Sequence, residues 1–271
     1  MDKISCVVHT RNAELYLKDC LRSAQWVDEL IVIDMESTDR TCSIAREMGA
    51  QVYSHAHLGY ADPARAFGLS KCSGDWILSL DADEIMPLKT AEVLKKITKE
   101  NRYDVVYLAF RNYFFGRELK GSGWSYRDIY VPRFYRKGFL DYGHQVHQFI
   151  HVKKDSRVLK LIEYDLALIH FNYNSVHHFI EKLNRYTDFE AQKSEYKRWP
   201  VLRMIYHFHR EFFGRFVVKK GFLDGWVGLY LSLAMSFYRM SAIAKANTLD
   251  EKQAIRTYQE YAVKIQVGTK H

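Results

Sequence analysis

Residues 75–84 read DWILSLDADE, and this stretch decides the fold. Gly74 precedes it as a turn signal. Trp76 to Leu80 then form a short apolar run, too brief for a buried helix and of the right length for a strand covered on both faces. The run ends in three acids, Asp81, Asp83 and Glu84. Working outward, the same grammar recurs. ISCVVHT (4–10) is β-rich, ELIVIDME (29–36) is a continuous apolar strand ending in acid, and QVYSHAH (51–57) is a third strand. Helical stretches separate them. Asn12 is expected to cap a helix beginning near Ala13, with Leu17, Cys20, Leu21 and Ala24 at helical spacing. Ser37 or Thr38 is expected to cap a second helix running to Met48 and stopped by Gly49. Strands that alternate with helices and are apolar on both faces imply a mostly parallel α/β sheet flanked by helices.

In such sheets ligands bind beyond the carboxyl ends of the strands. Those ends are chemically loaded here: Thr10, Arg11 and Asn12 after the first strand, Asp34 after the second, and Asp81, Asp83 and Glu84 after the fourth. Asp81 and Asp83 are two apart, so on extended backbone they point to one side. Like charges that close oppose each other's ionisation unless a cation sits between them. A hard divalent ion with phosphate co-ligands resolves that conflict. The plain alternative is that strand-end carboxylates merely cap the next helix. An aspartyl-nucleophile phosphatase pair is a further alternative, disfavoured because that motif follows a first strand and continues with Thr or Val, whereas this one continues Glu84-Ile85.

Taken in order, TRN (10–12), VIDMESTDRT (32–41), ADPARAFGLSKCSGDW (61–76) and SLDADE (79–84) resemble the family-2 inverting glycosyltransferases of GT-A fold, most closely the lipopolysaccharide-core β-glucosyltransferase-like subgroup. The similarity is tight over 3–87 and looser through HFNYNSVHHFIEKLNRYT (170–187) and KKGFLDGWVGLYL (219–231). The resemblance implies a nucleotide-sugar site formed by Thr10, Arg11, Asn12, Asp34, Ser37, Arg65, Asp81, Ala82 and Asp83. Thr10 and Asp34 would hold base and ribose, Arg65 the nucleotide or its diphosphate, Asp81 the ribose or sugar, and Asp83 a Mg²⁺ or Mn²⁺ ion. His147 or His170 would be a third metal ligand. The family commonly has Arg-Asn where this chain has Arg65-Ala66.

Strand-like DVVYLAFRNYFFG (104–116) and IYVPRFYRKG (129–138) follow, then LDYGHQVHQFIHV (140–152) with His144, His147 and His151. Without a sulfur ligand or an HExxH these histidines make a poor zinc site. Relatives of the subgroup tend to carry Val-His-Glu where this chain has Val146-His147-Gln148. An inverting transfer needs a carboxylate to take the acceptor's proton. Gln148 cannot do so, which leaves Asp128, within a W-x-x-x-D stretch (124–128), and Asp141 as candidate bases, Asp128 preferred.

The remainder of the chain reads as helical. Residues 1–100 hold 12 Lys+Arg against 16 Asp+Glu, net −4, so of the total charge of +8 the rest of the 271 residues carries +12. In VLRMIYHFHREFFGRFVVKK (201–220) basic residues, among them Arg210, Arg215, Lys219 and Lys220, interleave with aromatics, as in a helix resting on anionic headgroups. Homo-oligomerisation through these helices is compatible with that. A nucleic-acid partner is disfavoured, since no recognised motif for one is present. With 48% apolar residues and 27% charged, disorder is excluded over most of the chain. Four cysteines without CxxC spacing argue against a disulfide framework. The longest clean apolar run, Trp226 to Tyr238, falls short of the ~20 residues that span a bilayer, and no secretory signal precedes the first strand.

The expectation is therefore a GT-A domain over 1–172, with a nucleotide-binding half (1–100) and an acceptor half (101–172), followed by a helical region over 173–271. It would act as a metal-dependent inverting hexosyltransferase, moving a hexose or N-acetylhexosamine from a UDP-sugar to a lipid-linked or cell-surface glycan. Its place would be the cytoplasm, peripheral on the inner face of the membrane. The rival expectation is a catalytically silent sugar-nucleotide-binding or scaffold protein.

Overall fold

Ile4–Thr10 forms β1, and all seven of its residues are buried. There follow α1 (Leu17–Ser23), β2 (Glu29–Asp34), α2 (Thr41–Glu47), β3 (Gln51–Ser54), α3 (Asp62–Lys71) and β4 (Trp76–Asp81). β2 and β4 lie parallel on either side of β1, and β3 extends the sheet beyond β2. Thr10 pairs with Asp34 and His9 with Asp81, so the loaded carboxyl ends come level with one another. The computed structural model describes residues 2–57, 62–141, 150–192, 194–248 and 251–268. These fall into two compact units, Met1–Ser175 and Val176–His271.

Both expected caps are corrected. Asn12 sits at φ 48° and bonds across to the loop after β2, and α1 starts five residues later. At α2 the carboxylate of Asp39 accepts from Thr41 N at 3.0 Å, so neither Ser37 nor Thr38 is the cap. Gly49 does end that segment, at φ +80°. Gly68 matters for a different reason: a Cβ there would lie 2.8 Å from His9 Nε2 and 2.9 Å from Val7 Cγ2. Only glycine lets α3 approach β1 this closely, and α3 carries Arg65.

After β4 come β5 (Glu84–Ile85), α4 (Leu88–Glu100), β6 (Val105–Phe114), β7 (Arg117–Glu118), β8 (Tyr130–Arg136), β9 (Leu140–Asp141), β10 (His151–Val152), β11 (Val158–Leu161) and β12 (Leu168–Tyr173). β8 runs antiparallel to β4 and β6, while β11 and β12 run parallel to β6. The sheet is thus parallel on one side and mixed on the other. Trp76 of β4 stacks on Phe134 of β8 with ring centroids 4.7 Å apart. Such a pair adds about 0.5–1.5 kcal/mol beyond its buried area. α4 packs Ala91, Leu94 and Ile97 inward and stops at Asn101, which takes a left-handed conformation.

The second unit is helical: α5 (Val176–Glu190), α6 (Pro200–Phe213), a π-helical turn Gly214–Val218, a 3₁₀ turn Gly221–Asp224, α7 (Gly225–Asn247) and α8 (Glu251–Gly268). Pro200 occupies the first turn of α6, where its missing N–H costs nothing. α7 buries Val227, Leu231, Ser232 and Ser236. Ser236 Oγ donates to Phe208 O of α6 at 3.2 Å. One expectation changes here: Gly221–Asn247 is, by length and composition, long and apolar enough to cross a membrane. Counting only the uninterrupted apolar run missed this, because the helix continues past Arg239. That guanidinium lies 3.1 Å from Glu190 and 3.5 Å from Glu211, so its charge is paired within the unit.

Candidate active site

The loop after β1 is locked to the loop after β2. Ser37 Oγ accepts from Asn12 N at 2.8 Å, Asn12 Oδ1 accepts from Thr38 N at 2.8 Å, and Asp34 Oδ2 accepts from Ser37 N at 3.0 Å. Thr10 and Asp34 are buried side by side at these strand ends, and Thr10 Oγ1 has no hydrogen-bond partner. A buried polar atom without a partner is costly unless something meets it. Arg11 points outward and is exposed. Asn12, Asp34 and Ser37 thus form one polar shelf, with Thr10 beside it.

The second cluster is centred on Asp81. Arg65 Nη2 donates to Asp81 Oδ1 and Arg133 Nη2 to Asp81 Oδ2, both at 2.6 Å. Arg133 also donates to the fully buried carboxylate of Glu84. Both oxygens of Asp81 are therefore engaged by guanidinium groups. Burial would raise the Asp81 carboxyl, but Arg133 and Arg65 hold it well below the usual range. For Glu84 burial prevails: its pKa is pushed up to about 7, with Asp81 adding to the rise against the pull of Arg133. Beneath the arginines, His9 is driven down to about 3 by burial and by Arg65, so it is neutral at working pH. Ala82 is buried between the two aspartates.

Asp83 faces the other way. β5 pairs antiparallel with β12, bringing His170 opposite Glu84, and Phe171 N donates to Asp83 O at 3.0 Å. His170 Nε2 lies 3.7 Å from Asp83 Oδ1, an ion-pair separation. The other ring nitrogen, Nδ1, is 2.9 Å from Asn112 Oδ1. An amide oxygen can only accept, so Nδ1 carries a proton and Nε2 is the nitrogen that faces Asp83: protonated it pairs with the carboxylate, and neutral it offers a lone pair. Asn112 Nδ2 in turn donates to Trp124 O at 2.8 Å. That anchors the 124–128 turn, in which Ser125 Oγ donates to Asp128 Oδ2 at 2.6 Å. The structure thus strings Asp83, His170, Asn112, Trp124 and Asp128 on one polar network. Burial lowers the pKa of His170, but Asp83, Glu84 and Asp81 outweigh it and the net direction is upward.

A hard cation fits this arrangement. A carboxylate and an imidazole nitrogen that ligates when neutral converge, the imidazole is oriented by Asn112 as metal-bound histidines usually are, and Asp81 is already neutralised elsewhere. Among the described residues no three His, Cys, Asp or Glu side chains gather to hold an ion. The chain would therefore supply two donors, leaving the other positions of a Mg²⁺ or Mn²⁺ ion to phosphate and water oxygens. His144, His147 and Gln148 lie outside the described residues. His151 and Asp141 pair with each other in the β9–β10 ladder, and Asp141 is exposed.

Arg133, Glu84 and Asn112 complete the site, yet sequence reasoning passed over Arg133 and Asn112 altogether. The one signal was a charged residue at the centre of an aromatic strand, Arg133 between Pro132 and Phe134.

Against known proteins, residues 5–155, more than half of the chain, match the model for glycosyl transferase family 2. An uncharacterized glycosyltransferase of Rickettsia felis is 28% identical over 265 residues, covering 90% of this chain and 89% of the relative. A lipopolysaccharide core biosynthesis glycosyltransferase, LpsC of Rhizobium meliloti, is 24% identical over 269 residues, covering 91% and 96%. Among solved structures, glucosyl-3-phosphoglycerate synthase of Mycobacterium tuberculosis, in complex with Mn²⁺, UDP and glucosyl-3-phosphoglycerate, aligns with a TM-score of 0.36 and 28% identity, over 41% of this chain and 44% of that one. The strand-end motifs that suggested a GT-A fold lie inside the matched region, on the mixed α/β sheet described above. On this evidence the chain belongs to glycosyl transferase family 2.

Proposed function

We propose that this chain is an inverting hexosyltransferase that takes a hexose or N-acetylhexosamine from a UDP-sugar and delivers it to a hydroxyl of a lipid-linked or cell-surface glycan. The observation that carries the reading is the pairing of Thr10 with Asp34 and of His9 with Asp81 at three adjoining strand ends, with Asp83 turned toward His170 beside them. The name of the Rhizobium relative supports the acceptor class.

Asp34 and Thr10, buried at the strand ends, would accept from and donate to the base and ribose. Asp83 and His170 would hold Mg²⁺ or Mn²⁺. When bound, the ion neutralises charge on the departing diphosphate. The Asp81–Arg65–Arg133–Glu84 cluster fixes the turn that carries Asp83 and orients it toward His170. Asp128, tethered by Ser125, is the carboxylate assigned to remove the acceptor's proton as its oxygen attacks the anomeric carbon in line with the departing group. The place of action is the cytoplasmic face of the membrane.

Calorimetric titration of UDP, GDP, CDP and dTDP, with Mn²⁺ and with chelator, tests the donor. UDP binding that requires metal and is lost in Asp83→Asn is the expected result. Absence of binding by every nucleotide would sink the reading. Donor binding without turnover on any glycan or glycolipid acceptor would instead favour the silent binding protein.

A further inference from the structure

α6 is apolar on two faces. One face, with buried His207 and half-buried Met204 and Phe208, turns into the second unit, where Phe208 O receives Ser236 Oγ of α7. The other carries Val201, Leu202, Ile205, Tyr206 and Phe213, each more than half exposed. At about 100° per residue these five fall within an arc of roughly 140°, which exposed His209, stacked on Phe213, also shares. Arg210 and Arg203 lie at its edge. The exposed apolar surface continues past the helix end through Val217, Val218, Phe222 and Leu223, interrupted by exposed Lys219 and Lys220. Trp199 and Trp226, both more than half exposed, stand before and after this stretch.

The charge around the arc is predominantly positive. Residues 197–226 contain seven Lys or Arg and two acids, Glu211 and Asp224, a net charge of +5. Glu211 is shared among Arg210 at 2.9 Å, Arg215 at 3.1 Å and Arg239 at 3.5 Å. An exposed apolar arc rimmed by cations and flanked by tryptophans has the anatomy of a helix lying in a membrane interface.

We propose that the exposed face of α6, with the turn through Lys220, docks in plane on a bilayer surface bearing anionic lipid. Charge complementarity favours that occupant over a second copy. A two-fold contact through this face would set the cationic rim against itself, where like charges repel. Nucleic acid would use the cations and leave the apolar arc without a partner. The assignment is independent of the donor site, since it rests only on the second unit.

Sedimentation of the full-length chain with vesicles tests it, using phosphatidylcholine alone and phosphatidylcholine with about 30% phosphatidylglycerol, a composition that supplies the anionic surface. Binding is expected only to the anionic vesicles and to weaken with salt. Each cation near the surface contributes about a fivefold factor, equivalent to ~1 kcal/mol, so Lys219→Gln with Lys220→Gln should lower the partition coefficient roughly 25-fold. Leu202→Ser with Ile205→Ser should lower it more than about tenfold, because these side chains would enter the acyl boundary. Circular dichroism and UDP titration, unchanged in both pairs, would show that the fold is intact.

Equal binding to both vesicle types would overturn the proposal. So would a solution dimer of the parent chain that Leu202→Ser with Ile205→Ser converts to monomer. Protein that resists alkaline carbonate extraction from membranes would overturn it in favour of a spanning α7.

Discussion

Arg133 and Arg210 each sit beside a glutamate, and the two pairs do opposite things. Arg133 is buried and braces a fully buried Glu84 together with Asp81. Arg210 is half exposed and meets Glu211 at 2.9 Å, a largely buried carboxylate that Arg215 and Arg239 also hold. In the first pair Arg133 is enclosed with its carboxylates, and the product is a fixed turn. In the second, Glu211 has partners to spare, and the half-exposed arginine still presents positive charge outward. The residue types are the same, and the dielectric around them assigns the role.

The sharpest way to break this comparison is to remove one arginine at a time. Arg133→Met leaves buried Glu84 without its arginine and Asp81 with Arg65 alone, so urea unfolding should show a loss of about 3–5 kcal/mol. A loss below about 1 kcal/mol would mean that the cluster does not brace the turn. Asn112→Ala frees the His170 ring and leaves Trp124 O without its donor. It should weaken Mn²⁺-dependent UDP binding about 10–100-fold by calorimetry. If affinity is unchanged, His170 does not hold the ion.

Proton linkage sharpens the same contrast. The pKa of His170 is raised above its ordinary 6.5 because its carboxylate neighbours outweigh burial. A group raised on folding stabilises the metal-free protein below the unfolded value, and that contribution is lost as pH climbs through the folded value. Metal ligation needs the neutral ring, so it runs the other way and weakens on acidification, by up to about tenfold per unit below the folded value. Between about pH 8 and pH 6, Mn²⁺-dependent binding should therefore fall while the histidine's share of metal-free stability rises. Binding that is flat with pH, in parent and His170→Gln alike, would remove His170 from the site. The smallest effect belongs to Arg210: because Glu211 keeps Arg215 and Arg239, Arg210→Met should leave unfolding within about 0.5 kcal/mol of the parent.

Much of the parallel half of the sheet and its strand-end cluster was legible because the information there is local. Each of β1, β2 and β4 is a short apolar run punctuated by turn residues and closed by a polar or acidic end, so strand, burial and site chemistry all come from neighbours in sequence. The helix starts were misread for a reason equally physical. Asn12 and Ser37 have the chemistry of caps, but each finds a stronger partner on the other's loop. Arg133 was missed because nothing in YVPRFYR reveals that its guanidinium meets carboxylates 52 and 49 residues earlier.

The sequence by itself determined the parallel half of the sheet, the acids at its carboxyl ends, and the asymmetry between a mildly acidic beginning and a basic remainder. Those follow from strand periodicity and composition, which act over a few residues. The tertiary structure decided how the acids divide their work. Pairing of β12 with β5 brings His170 to Asp83, and α3 and β8 deliver Arg65 and Arg133 to Asp81. Two aspartates two residues apart thereby receive different partners, one neutralised by arginine and one left facing an imidazole. Only long-range packing can make that distinction, because the charge state of a buried carboxylate depends on what surrounds it in space.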